Sequence, residues 1–197
     1  MKEIYRSGVT PQQKLVAVNN KFGNVDIKFQ QGTTRCLYDT LPFTTNGQSF
    51  QFFEDSGSRN FPFSNTGSDG NKLGVGETMI IEQIMIVSMT YDPDLKRFTS
   101  MSGVNAATID AKYSISLANS QVIKDFTVNS QLAPFNDSTS ETTNWYSFDT
   151  QIVIPPLLNF AVNLQLGQLA SGDPAPNQYL RCYIIGTAGI LAPRTTF

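Results

Sequence analysis

The feature that most constrains this chain is a two-residue apolar alternation that returns in short segments and never settles into a helical period. Ala111-Lys112-Tyr113-Ser114-Ile115-Ser116-Leu117 and Asn159-Phe160-Ala161-Val162-Asn163-Leu164-Gln165-Leu166 place an apolar side chain at every second position. A strand with one face on a core and the other in water requires this pattern. Gln48-Ser49-Phe50-Gln51-Phe52-Phe53 alternates too and stops at Glu54-Asp55-Ser56-Gly57. The longest apolar run, Thr78 to Tyr91, is rich in β-branched residues, which favours strand, and Glu82-Gln83 in its middle predicts a bend or bulge.

Further strand signals lie at Arg35-Cys36-Leu37-Tyr38, at Val122 to Val128 beyond a hairpin centred on Asn119-Ser120, at Tyr146 to Ile154 before Pro155-Pro156, and at Gln178 to Ile185. Segments 60–71, 92–108, 129–144 and 167–177 read as connections, broken by Pro, Gly, Asn and Ser. No repeat of fixed period occurs, which argues against a propeller or solenoid. The expected fold is all-β: a single antiparallel β-sandwich, jelly-roll-like, of about eight strands. The expected core comprises Ile81, Ile84, Ile86, Ile115, Leu117, Ile152, Ile154, Val162, Leu164 and Ile184, each on the apolar side of its pattern.

The expected organisation is an extended N-terminal arm over residues 1–33 and a sandwich domain over 34–197. Lys2, Arg6, Lys14, Lys21, Lys28 and Arg35 face only Glu3 and Asp26 within residues 1–35, a net of +4 in a chain of net −2. Such asymmetry makes these six cations the candidate arm contacts, directed at an acidic surface or nucleic acid. With Gly8, Pro11 and Asn19-Asn20 interrupting it, the arm buries too little apolar surface to order itself alone, so a role in assembly rather than folding is expected.

Charged residues are 15% of the chain against about 25% in an average soluble domain. Neutral polar side chains replace them, which suits extensive contact with protein or sugar. No apolar run is long enough to cross a bilayer as a helix. The first residues, Met1-Lys2-Glu3-Ile4-Tyr5-Arg6, lack the apolar stretch of an export signal, so assembly in a cytoplasm is expected. Cys36 and Cys182 are accordingly expected to be free thiols.

The chain has no histidine. Histidine-based nucleophile pairs, imidazole acid–base chemistry and ordinary zinc sites are thereby excluded. A carboxylate pair would have to come from Glu54, Asp55, Glu77, Glu82, Asp92, Asp94, Asp110 or Asp149, most of which flank turns or alternate on strands as solvated acids do. Gly74-Val75-Gly76 precedes a strand and so offers no helix N-terminus to a phosphate; a tight turn is expected. Asp92-Pro93-Asp94 and 65–71 lack EF-hand spacing, and the sequon Asn136-Asp137-Ser138 has no meaning without export. No enzyme activity, cofactor or metal is expected. The candidate interface or ligand contacts are Phe43, Phe61, Phe63, Phe135, Trp145 and Tyr146, aromatics in or beside loops.

Leu41-Pro42-Phe43, the Phe-rich segment ending at Phe53, Phe61-Pro62-Phe63-Ser64-Asn65-Thr66, Lys72 to Glu77, Ile154-Pro155-Pro156 with Phe160, and Gly186 to Arg194 together resemble virion proteins of bacteriophages. The resemblance is to capsid-associated jelly-roll proteins of phages of Bacteroidetes and covers roughly residues 35 to 194. It implies a structural protein of the virion: a capsid, vertex or head-surface subunit, homo-oligomeric and touching other coat proteins, with arms along the inner shell. The modest arm charge leaves weak nucleic-acid contact and arm-to-neighbour contact as open alternatives. A second reading is a carbohydrate- or receptor-binding module of a phage tail or cell surface, with Trp145 and Tyr146 stacking on a glycan.

Overall fold

In the computed structural model the described residues are 13, 30–43, 49–54, 61–66, 71–74, 76–102, 111–127, 146–167 and 177–191. Every named element among them is a strand: β1 (Gln30–Pro42), β2 (Ser49–Phe52), β3 (Thr78–Asp92), β4 (Arg97–Ser102), β5 (Ala111–Leu117), β6 (Ser120–Thr127), β7 (Tyr146–Ile154), β8 (Phe160–Leu166) and β9 (Gln178–Leu191). They form two antiparallel sheets, as the alternation predicts. The first runs β1-β9-β3-β4, with β7 also paired to β3, and the second runs β2-β8-β5-β6. Of the arm, Gln13, which is exposed, and residues 30–33, which open β1, are described; Lys2, Arg6, Lys14, Lys21 and Lys28 lie outside the described residues.

The pairing is nested. β1 pairs β9, β2 pairs β8, β3 pairs β7 and β5 pairs β6, so the chain resembles one long hairpin rolled until alternate rungs fall in opposite sheets. β4 is additional and corrects the reading of 92–108 as connection throughout. Asp92 Oδ1 accepts the N–H groups of Asp94 and Leu95 at 2.9 and 3.0 Å, and this turn sends Arg97–Ser102 back along β3. A carboxylate considered for calcium thus closes a hairpin. β1 begins four residues before the boundary at Thr34 and runs through Pro42, which an edge strand tolerates.

β3 carries the bulge that Glu82-Gln83 predicts: its register shifts between Ile81 and Gln83 against both neighbours. Met79 and Ile81 before it, and Ile84 and Ile86 after it, consequently all reach the same core. On β9, Gly186 sits opposite Ile81 beside this bulge, and a Cβ there would collide with the carbonyl oxygen of Ile80. The strand therefore continues through a glycine-containing stretch, to Leu191, past the expected end at Ile185.

The two sheets enclose one core that includes Phe50, Phe52, Phe53, Tyr113, Ile115, Phe160, Val162, Leu180 and Ile184. Nine of the ten core expectations are buried; Leu117, at the β5 end, is half-buried against the cluster. In the second sheet β2, β5 and β8 bury one face, β8 reading B-i-B-i-B-e-B along its length, where B is buried, i half-buried and e exposed. β3 buries both faces, with Ile80, Met85, Val87 and Met89 pointing away from the core yet buried.

Cys36 pairs with Ile185 and Cys182 with Asp39. The two thiols therefore sit three residues out of register on opposite faces of the sheet, roughly 10 Å apart along the strands, too far to bond. Both are free. Burial pushes the Cys36 thiol up, and burial, reinforced by Asp39, pushes Cys182 much further.

Candidate interaction surface

Most of the unusual chemistry lies on the outward face of the first sheet, where the segment 61–66 folds over β1 and β9. Asn65 turns its side-chain amide into a substitute strand: Oδ1 accepts the Tyr38 N–H at 2.8 Å and Nδ2 donates to the Cys36 carbonyl at 2.8 Å. Its own N–H reaches the Tyr38 carbonyl at 3.3 Å, and Ser64 bridges to Asp39. The edge of β1 is thereby capped between Cys36 and Asp39, in the manner by which sheets avoid unwanted pairing.

Arg181, on β9, anchors the same segment from beneath. Only 7% exposed, it donates from Nε to Thr40 Oγ1 at 2.7 Å, from Nη1 to the Tyr183 hydroxyl at 3.2 Å and from Nη2 to the Pro62 carbonyl at 2.7 Å. These acceptors are all neutral. The remaining compensation for burying a charge comes from ring faces, with the guanidinium carbon 4.3 Å from the Phe98 centroid and 4.6 Å from that of Tyr38. Burial raises the Tyr38 hydroxyl above its ordinary range, against the opposing pull of Arg181.

Beside Arg181, the rings of Phe63, Tyr91, Phe98 and Tyr179 form a mutual cluster with centroids 5.0 to 5.9 Å apart. The cluster fixes Phe63 onto strands β3, β4 and β9. Phe61, two residues earlier, projects outward at 83% exposure. A rigid base carrying a protruding ring is suited to entering an apolar recess on another molecule.

The expected contact residues scatter. Phe43 is 6% exposed and meets Phe50 edge-on in the core, so it plugs the sandwich and is no surface contact. Phe63 is half-buried in the ring cluster, and Phe61 alone of the six is described and exposed. Tyr146 begins β7 opposite Ile84; Phe135 and Trp145 lie outside the described residues. Arg35 is spent within the fold, bonded through Nη1 to Glu77 Oε2 at 2.7 Å. Glu77 also accepts the Gly74 N–H while donating its own to the Gly74 carbonyl, which makes 74–77 the tight turn expected there. The Arg35 hydrogen bond holds the Glu77 carboxyl below its usual range.

Arg181, Asn65 and Asp39 were not among the expected contacts. A signal for Arg181 existed: in Tyr179-Leu180-Arg181-Cys182-Tyr183 the apolar members alternate with an aromatic–cation–aromatic row on the other face. Asn65 had none, because its partner strand is distant in sequence. Among the described residues no group of three His, Cys, Asp or Glu could hold a metal ion, and no helix is long and apolar enough to cross a membrane. Compared with protein-family models, curated proteins and solved structures, the chain matches none.

Proposed function

We propose that this chain is a structural subunit of a virus particle, a jelly-roll β-sandwich without catalytic activity that acts by self-association and by contact with other coat proteins. The observation that carries this reading is the nested pairing order, β1-β9-β3-β7 facing β2-β8-β5-β6, with β4 as an added hairpin strand. A hairpin rolled into a jelly roll would give this order, which supports the reading, and shell-forming proteins are among the principal users of that architecture. The low charge fits a surface made for protein contact. The protruding Phe61 is a feature such contacts would use.

Its localisation on this reading is the virion, assembled in a host cytoplasm. The test is the mass of the purified protein by light scattering, with electron microscopy of any large species. A discrete symmetric oligomer or closed assembly is expected. A monomer at every concentration, alone and mixed with coat proteins from the same genome, would remove the proposal.

The exposed Phe61 beside its ring cluster also favours a second reading, a glycan- or receptor-binding module. Glycan-dependent binding lost in Phe61→Ala, with no self-association, would select it.

A further inference from the structure

The turn between β7 and β8 carries the chain from the first sheet to the second, from buried Ile154 to buried Phe160, and Leu157 stands at its apex. Leu157 is 60% exposed and has a φ of 60°. A bulky side chain on left-handed backbone is strained, and an exposed one recovers nothing for that strain from the core. The other non-glycine residues in this conformation, among those described, are Phe53, Lys96, Ala118 and Asn177. Phe53 is buried in the core, and the remaining three are small, polar or charged residues in turns. Leu157 alone of the described residues is bulky, apolar, exposed and left-handed at once. Gly or Asn would hold the same turn with less strain.

The turn is also gripped from two sides. The Leu157 N–H donates to the Leu73 carbonyl at 3.0 Å, the Phe160 N–H donates to the Asn71 carbonyl at 2.9 Å, and the Asn159 carbonyl accepts the Ala118 N–H at 2.7 Å. Pro156 forms a parallel bridge with Leu73. Segment 71–73 and the β5–β6 turn, both remote in sequence, thus fix the backbone on which Leu157 is displayed. A side chain held out on a rigid base has little backbone entropy left to lose on contact.

We infer that Leu157 is the centre of a contact between two copies of this chain, each offering the same turn to the other across a two-fold axis; this rests on the reading of the chain as a self-associating subunit. Charge selects a second copy as the occupant. Residues 155–159 and the residues that bond to them, Asn71, Leu73 and Ala118, are all uncharged, and Lys72 between the first two is half-buried. A patch that meets itself sets like against like, which an apolar centre with a neutral surround permits and a charged patch penalises. The strain at Leu157 is then the cost of presenting an apolar side chain that is covered only in the assembly.

The test compares Leu157→Gly and Leu157→Asn with the parent protein. Either change relieves the left-handed strain, so the urea midpoint of dilute protein should be no lower than the parent's. Self-association, read by light scattering against concentration, should weaken about tenfold or more. A lower midpoint in both variants would mean that Leu157 serves the fold, and would overturn the inference. Unchanged association of the variants, in a parent that does associate, would overturn it while leaving the assembly reading intact. A parent that stays monomeric alone would overturn it too, and only failure to join other coat proteins as well would remove the wider reading. A second measurement places Leu157→Cys in a Cys36→Ser background, Cys182 being buried, and adds a short bismaleimide. A dimer joined at position 157 of both copies is expected by mass spectrometry. No such dimer at concentrations where the chain associates, or a link only to another coat protein, would overturn the two-copy contact.

Discussion

Asp39 on β1 accepts the backbone N–H of Phe53, just past β2, at 2.7 Å, and so ties the first sheet to the second across the core. Its other oxygen receives the Thr40 N–H at 3.0 Å. Phe53 has a φ of 60°, a left-handed conformation that strains a bulky residue, and the carboxylate holds its N–H in place. Asp39→Ala should lower unfolding free energy by about 2–3 kcal/mol, since a buried donor loses a charged acceptor. Urea denaturation reads this directly; a loss below about 0.5 kcal/mol would mean water replaces the carboxylate.

Arg181→Lys keeps the charge and removes the planar fork. An ammonium cannot reach Thr40, Tyr183 and Pro62 from one position, so about 2 kcal/mol of stability should go. The segment 61–66 should loosen with it, seen as reduced near-ultraviolet circular dichroism from the Phe63–Tyr91–Phe98–Tyr179 rings. Full retention of that signal would show that the rings, not the guanidinium, hold the segment.

Asn65→Ala should uncover the β1 edge at Cys36 and Tyr38. The expected result is a stability loss of about 1 kcal/mol together with concentration-dependent self-association. Light scattering against the parent protein measures it, and identical scattering at all concentrations would contradict the role assigned to the cap.

Much of this was legible beforehand, for a physical reason. Alternation reports which face of a strand meets the core, so Ile115, Val162 and Leu164 declared themselves, and the doublet Glu82-Gln83 had no place in the Ile81–Ile84 pattern except at a bulge. Alternation says nothing of a strand whose two faces are both covered or whose apolar members are few. Arg97–Ser102 was missed because only Phe98 and Met101 mark it, and Phe43 was misplaced because an aromatic beside a proline looks alike whether it folds inward or out. The contacts of Asn65 and Arg181 depend on which strands become neighbours, information that local pattern does not contain.

Acid should weaken the link between β1 and the turn before β3. Because Arg35 depresses the Glu77 pKa below its ordinary 4.5, the stabilisation is complete above about pH 4.5 and disappears as pH falls through the lower folded value. The pair is partly exposed, so its share is about 0.5 kcal/mol. Thermal melts from pH 6 to pH 3 should show a shallower loss for Glu77→Gln than for the parent; parallel curves would indicate that Glu77 contributes nothing in that range.

The two thiols should differ in reactivity. Cys36, half-buried with its pKa raised by burial, should alkylate slowly in the native protein, and Cys182 should react only on unfolding. Mass spectrometry of iodoacetamide-treated protein, with and without urea, distinguishes them. Native-state labelling of Cys182 would imply frequent opening of the β1–β9 pair.

Nested pairing also dictates an order of events at the ribosome. Gln30 cannot pair before Leu191 is made, and the partners of β5, β3, β2 and β1 emerge in that order as β6, β7, β8 and β9. A nascent chain stopped anywhere before β9 leaves β1 and one long edge of β3 bare, the state in which strands of different molecules find one another. For this architecture, the interval between making residue 92 and making residue 178 is the time of greatest exposure to wrong partners.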